Sequence, residues 1–338
     1  MDKKKKVRLS DIAEKLNIST VTVSKALANK DGVGDDLRKQ IKDMAEEMGY
    51  KVKKTNANSN SDQVTGNIGI LIPARFFSND FSFYWYLFNF LSKELLSRNY
   101  YSIMELLSDE DETKLTMPRM IQDQKVDGMI ILGQTNDTYL DLIKSHYDNF
   151  ILMDFYTNKL HLDSVSDDDY YCSYQLTNYV ISQGHKKLRF VGNFGSTTSI
   201  SDRYMGFLKA MHENGISTDF NEIIDDRDSK GRRIEIKLPY DNMPSAFICN
   251  CDETAAIVIT QLESKGFKVP QDISVTGFDN YLPQGRSSVE LTTVMIKPED
   301  SAKVAADLII NKIKGESYIK GRNLVSGNLI IRNSVKTL

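Results

Sequence analysis

From residue 67 onward, short apolar runs alternate with amphipathic stretches for about 270 residues, and few folds accommodate that alternation. Ile68-Gly69-Ile70-Leu71-Ile72-Pro73 is continuously apolar and ends in a turn, as a strand buried on both faces of a parallel sheet requires. A helical stretch follows over about 83–99, with Leu87, Phe90, Leu91, Leu95 and Leu96 at helical spacing. Further strand-like runs lie at 101–105, 128–132, 150–153, 188–191, 246–249, 273–277 and 293–296. Helical stretches at 174–183, 203–214, 253–265 and 298–314 separate most of them. The pattern predicts an α/β fold of parallel sheets flanked by helices, with right-handed crossovers. There are too many strands for one tidy sheet, so two lobes with a cleft are expected. Ligands in such folds sit beyond the carboxyl ends of the strands.

The first 50 residues are of another kind. Leu9, Ile12, Ala13 and Leu16 repeat at helical spacing, Asn17-Ile18-Ser19 breaks the pattern, and Ser19 can cap a second helix from Thr20. On that helix Val23, Ala26 and Leu27 share a face. A third helix is predicted over about 35–48, its stripe made by Leu37, Ile41, Met44, Ala45 and Met48. A short polar helix braced by another is the helix-turn-helix geometry that enters the DNA major groove.

Charge follows the same division. The chain is nearly neutral at −3, but residues 1–54 hold 14 Lys/Arg against 9 Asp/Glu, and the remainder 29 against 37. A basic head on an acidic body suits a head that neutralises phosphates. Residues 51–66, rich in Asn, Ser and Lys, can bury no face and read as a hinge or linker. No apolar run is long enough for a signal peptide or a membrane span, and three cysteines make no disulfide framework. The expectation is a cytoplasmic protein with ordinary thiols.

The motifs taken together resemble the LacI/GalR (lactose-repressor) family of transcriptional regulators. Asp11-Ile12-Ala13, Thr22-Val23-Ser24-Lys25-Ala26-Leu27, Leu37-Arg38 and Gly49-Tyr50 resemble its DNA-binding head. Gly69-Ile70-Leu71-Ile72-Pro73, Val126-Asp127-Gly128-Met129-Ile130, Gly184-His185-Lys186-Lys187, Asp202-Arg203-Tyr204-Met205-Gly206-Phe207 and Ile273-Ser274-Val275-Thr276-Gly277-Phe278-Asp279-Asn280 follow in the family's order, and so does Val294. The resemblance covers nearly the whole chain. It implies a helix-turn-helix headpiece at 1–50, a hinge at 51–66 and a two-lobed periplasmic-binding-protein-like core at 67–338 that dimerises and binds a small effector, usually a sugar. Lobe 1 is expected at about 67–162 plus 293–325, and lobe 2 at about 163–292 plus 326–338, with Val294 on the strand that returns to lobe 1.

The resemblance places the first residues of the second helix against the bases. Here these are Thr20, Val21 and Lys25: a hydroxyl, a methyl-packing side chain and an ammonium that can donate to guanine. Ser19, Thr22 and Ser24 read as phosphate or capping groups. Val21 could instead be a core valine, although Val23 fits the core better; Lys25 could be a solvated lysine. The hinge departs from the family pattern. Val52 and Lys53 stand where Pro and Asn are usual, and Ser59 where a leucine wedges the minor groove. Apolar wedges kink DNA and serine cannot, so a weak bend or none is expected.

For the effector, the family's arginine falls on Arg203, expected to open a helix after the loop 195–202, where a guanidinium fork can bridge two hydroxyls. Asp279, Asn250 and Asp154 follow strand-like runs and supply acceptors, while Asp252 reads as a helix cap. Segment 75–86 has seven aromatics in twelve residues, including the single Trp. Phe76, Phe81 and Trp85 are its candidates for stacking on a sugar, against the plainer reading of core packing. His185 reads as structural. Asp167-Asp168-Asp169 reads as a solvated turn or inter-lobe hinge rather than a metal site.

No Walker A motif, nucleophile elbow or metal-ligand His pair is present in the sequence, and neither cofactor nor metal is expected. The combined expectation is a homodimeric repressor, not an enzyme, that binds a pseudo-palindromic operator and is switched by a carbohydrate. The alternatives are a corepressor-dependent regulator or activator with a non-sugar effector such as a nucleobase and, more remotely, a cytoplasmic α/β enzyme or sugar-binding protein.

Overall fold

The computed structural model describes residues 9–27, 32–48, 64–77, 82–218, 223–282 and 287–338. The predicted hinge is therefore outside the described residues except for 64–66. The chain divides into two compact units, 1–63 and 64–338.

The first unit holds three helices, α1 (Leu9–Leu16), α2 (Thr20–Leu27) and α3 (Asp35–Glu47). Ile12, Ala13, Val23, Ala26, Ile41 and Ala45 fill its core. Asn17 takes a positive φ of 52° between α1 and α2, a conformation that Asn tolerates better than most residues. Ser19 Oγ then accepts the Thr22 N–H at 3.0 Å and starts α2.

The second unit is built on parallel strands. Six of them, β1 (Asn67–Pro73), β2 (Tyr101–Leu107), β3 (Gly128–Leu132), β4 (Phe150–Met153), β5 (Ser164–Asp167) and β10 (Arg322–Val325), form one sheet in the order β10-β5-β4-β3-β1-β2. Its pairings are all parallel. Helices α4 (Phe83–Ser97) and α11 (Pro298–Lys314) pack together on it, and α7 (Asp137–His146) contributes Tyr139, Leu140 and Ile143 to a separate apolar cluster. The short α5 (Asp109–Lys114) and α6 (Arg119–Gln122) precede β3.

The other lobe has a parallel sheet of β6 (Leu188–Val191), β7 (Ala246–Cys249) and β8 (Ser274–Thr276). Beyond β8, a bridge from Thr276 to Thr292 leads to the antiparallel pair β9 (Thr293–Met295) and β11 (Asn328–Ile330). Helices α8 (Asp169–Ser182) and α9 (Thr198–Glu213) pack along each other, and α10 (Asp252–Ser264) covers β7 and β8.

The chain passes between the lobes three times: from β5 to α8, from β9 to α11, and from β10 to β11. Two sequence expectations change. Ser164–Asp167 belongs to the first lobe's sheet, so the first crossing falls a few residues after 163. Thr293–Met295 stays beside β8 and β11, and α11 rather than this strand re-enters the first lobe. Edge pairing decides both cases, and short strands with few apolar residues carry little periodic signal. Among the described residues no helix is long and apolar enough to cross a membrane.

Candidate functional site

On α2 the two valines divide as helix geometry requires. Val23 is fully buried, and Val21 is 49% exposed beside exposed Thr20 and Ser24. Thr22 and Lys25 are half-buried. Ser19 also meets Thr22 through their hydroxyls at 2.8 Å, so both serve the cap. The face of α2 away from the core thus carries one apolar and several hydrogen-bonding groups, a set able to read base edges.

In the larger unit the carboxyl ends of both sheets converge on Arg203. Its Nε donates to Asp169 Oδ1 at 2.7 Å and its Nη1 to the Asn250 carbonyl at 2.5 Å. Nη2 lies 3.0 Å from Asp279 Oδ1, and the guanidinium carbon sits 3.8 Å from the Phe278 ring centre. Arg203 does not open a helix: α9 begins at Thr198, capped by Thr197 Oγ1 accepting from the Ile200 N–H, so Arg203 points inward from the second turn. Asp202, the alternative ion-pair partner, instead accepts from Tyr156 Oη at 2.9 Å and from Arg322 at 2.6 Å.

Asp154 follows β4 and accepts from Tyr84 Oη at 2.7 Å. Asp154 and Asp279 both hold positive φ, 67° and 95°, a strain that recurs where side chains are aimed at ligands. Burial pushes the Asp154 carboxyl up to about 6, with Asp279 adding to the rise and Tyr84 and Arg203 opposing it. Asp169 rises to about 7, again by burial, with Asp154 and Asp279 adding and Arg203 opposing. Asp279 is raised too, chiefly by burial. Arg203 is held charged, because its carboxylates outweigh the burial that disfavours the cation.

Asn250 is spent on the protein itself. Its Nδ2 donates to Val191 O and Asp226 Oδ2, both at 2.8 Å, and its Oδ1 accepts from Arg227 at 3.0 Å. Asp226 is fully buried, yet Arg227 and Arg233 hold its carboxyl well below the usual range against the effect of burial. Asp252 is not a cap: it is the first residue of α10, and its carboxylate accepts from Thr293 Oγ1 and the Tyr281 N–H.

Of the aromatic segment, Phe76 stacks on Tyr84 with centroids 5.3 Å apart. Gly133, at φ +99°, leaves room for both rings; a Cβ there would stand 2.9 Å from Tyr84. Trp85 lies on another face of α4, 44% exposed against Phe77 and Phe88, and is not brought to Arg203. Phe81 is outside the described residues. The aromatic that reaches the carboxylates is Tyr84, one helical step from Trp85. A run of seven aromatics cannot disclose which of them turns inward.

The lobes touch at this interface. Tyr86 stacks on Tyr281 at 4.7 Å, and Gln134 Oε1 accepts the Thr198 N–H at 3.1 Å. The triplet Asp167-Asp168-Asp169 spans the crossing from β5 to α8, as the inter-lobe hinge reading has it, and is not a solvated turn. Asp167 and Asp169 are buried, and Asp168 caps α8 by accepting from Tyr171 N. His185 is buried among Ser245, Ser274 and the Lys336 carbonyl, a structural bolt. Sequence reasoning missed Tyr84, Asp169 and Arg227 as parts of this constellation.

Two family models match this chain: bacterial regulatory proteins, lacI family, over residues 8–52, and a periplasmic binding protein-like domain over 177–335. The HTH-type transcriptional regulator RegA of Clostridium saccharobutylicum is 29% identical, covering 96% of this chain and 98% of its own. This chain belongs to the lacI family. The fold of this lacI-family regulator agrees: the transcriptional regulator CelR–cellobiose complex aligns over 97% of this chain and 99% of that one, with TM-score 0.68 and 18% identity. The lac repressor dimer bound to operator and the anti-inducer ONPF aligns over 98% and 100%, with TM-score 0.64 and 16% identity. The lacI-family regulator is a DNA-binding transcriptional regulator.

Proposed function

We propose that this regulator is a cytoplasmic homodimeric repressor whose grip on a pseudo-palindromic operator is switched by a carbohydrate bound between the core lobes. The observation that carries the reading is the meeting of Arg203, Asp154 and Asp279, from three elements of two lobes, at the carboxyl ends of the sheets. A forked cation and carboxylates on two sides suit a polyol, which offers paired donors and acceptors, and Phe76 with Tyr84 supplies an apolar wall. CelR, whose fold this chain shares, was solved with cellobiose. Operator contact falls to α2: Thr20, Val21 and Lys25 read bases, while Ser19, Thr22 and Ser24 hold the backbone. Two copies pair through the first lobe, where edge strand β2 leaves Tyr101 and Leu106 exposed. The effector favours one lobe arrangement over the other and so biases the head spacing. Footprinting of the upstream regions of genes near its own, with and without a panel of mono- and oligosaccharides, tests the whole reading. Protection that a sugar releases supports it; absence of protection on any such region refutes it.

A further inference from the structure

We propose that Asp202, Tyr156 and Arg322 form a salt-sensitive latch that holds the two core lobes together and so sets how readily they part. The inference concerns the angle between the lobes and stands whichever ligand their interface takes. Asp202 lies on α9 in the second lobe, while Tyr156 follows β4 and Arg322 starts β10, both in the first. Each carboxylate oxygen has its own partner across the gap. Oδ1 accepts from Tyr156 Oη at 2.9 Å, and Oδ2 accepts from Arg322 Nη2 at 2.6 Å. The two partners brace each other, since the Arg322 guanidinium carbon sits 4.0 Å from the Tyr156 ring centre. Burial, and then the Asp202 carboxylate, push the Tyr156 hydroxyl up to about 12 against the opposing pull of Arg322, so the phenol is a donor at neutral pH.

The grip falls on the side of α9 that meets the first lobe. Thr198, one turn before Asp202 and on the same side of the helix, donates its N–H to Gln134 Oε1 at 3.1 Å. Thr198 is the first residue of α9, so its N–H has no acceptor within the helix and depends on the other lobe. Arg203 follows Asp202 directly, and its side chain turns to Asp169 and the Asn250 carbonyl at the cleft. A change in how Asp202 is held therefore reaches Arg203 through one peptide unit. The latch is weak enough to be released. The Asp202 side chain is 16% exposed and that of Arg322 35%, and ion pairs that meet water contribute little and are screened by salt. The Tyr86–Tyr281 stack and the packing of Phe76 on Gly231 also join the lobes, but they carry no formal charge and do not share that dependence.

Quenched-flow hydrogen exchange on the full chain tests the latch, with the Thr198 amide as the reporter of contact between the lobes. Arg322→Met keeps a stem over the Tyr156 ring but loses the charge, and Tyr156→Phe keeps the ring but loses the donor. At about 0.05 M salt, both variants should speed exchange at Thr198 by about two- to fivefold, the span that a pair of this exposure is worth. Raising the salt to about 0.5 M should bring the parent to the variants' rate and leave Arg322→Met nearly unchanged. Asp202→Asn, which keeps an oxygen for Tyr156 and loses the charge, should match Arg322→Met. Exchange in β7, in the core of the second lobe, is the control for global stability and should not move. An equal rise in β7 would show that these side chains serve the fold as a whole, and the inference falls. It falls equally if Thr198 exchanges at the parent's rate in Arg322→Met and Asp202→Asn, or if the parent is indifferent to salt.

Discussion

Phe76 and Gly231 meet across the lobe interface so closely that a Cβ on Gly231 would stand 2.8 Å from Phe76 Cε1. Gly231 also holds a φ of 82°, which an L side chain resists. Gly231→Ala should therefore hold the lobes apart. If the effector favours the lobe arrangement in which Phe76 and Gly231 meet, a strain of about 1.4 kcal/mol there lowers its affinity about tenfold. Calorimetry with an identified effector checks this, and unchanged affinity would show that the two lobes need not meet there for binding.

Arg203→Ala leaves Asp169 and Asp279 buried without their cation. Breaking such a pair costs about 3–5 kcal/mol, read as a lower urea midpoint at neutral pH. The variant should also lose the effector's stabilisation, about 2.7 kcal/mol at a hundred times the dissociation constant, while still shifting operator DNA in gels. A retained ligand shift would take Arg203 out of the site.

The two valines of α2 separate reading from folding. Val21→Ala should weaken operator binding with little change in melting temperature. Val23→Ala opens a hole in the head's core and should destabilise the head by about 2 kcal/mol. Equal melting of the two variants would contradict their assignment to opposite faces.

Stability should fall as pH rises through the range set by the buried acids. Folded Asp154 holds its proton up to about 6, and Asp169 and Asp252 up to about 7, all above the unfolded value. A folded state that binds protons more tightly gains stability that is complete below the unfolded pKa and is lost as pH climbs through the folded one. Urea midpoints measured from about pH 4 to about pH 8 should decline by the equivalent of a few kcal/mol. Asp226 works in the opposite sense, since its carboxyl is held low, and its contribution disappears only in strong acid.

The hinge carries Ser59 where the family's wedge residue is expected, so the operator should be bent by less than about 30° in a circular-permutation assay. A larger bend would require another wedge.

Continuous apolar strands such as Ile68–Pro73 and helices with a full stripe were legible because burial on two faces, or along one, imposes a period on the residues. Ser164–Asp167 was not, since two serines and an aspartate conceal a strand that is buried only because β4 and β10 flank it. The candidate site was legible where a polar group lies just beyond a strand, as Asp154 does after β4 and Asp279 after β8. It was opaque where tertiary packing decides. Asp169 read as part of a solvated turn or inter-lobe hinge, and only the packing of α8 against α9 shows that its carboxyl is buried on Arg203; Asn250 looked like a ligand group although the protein consumes its amide. Tyr84 and Trp85 are adjacent in sequence, and only the pitch of α4 sends one inward.

The three passages between the lobes carry a practical consequence. Neither half of the core corresponds to a contiguous stretch of the chain, so no pair of cut sites releases one lobe whole. A truncation designed to isolate either half removes strands from the other. The core must be engineered, swapped between regulators or expressed for binding work as one piece.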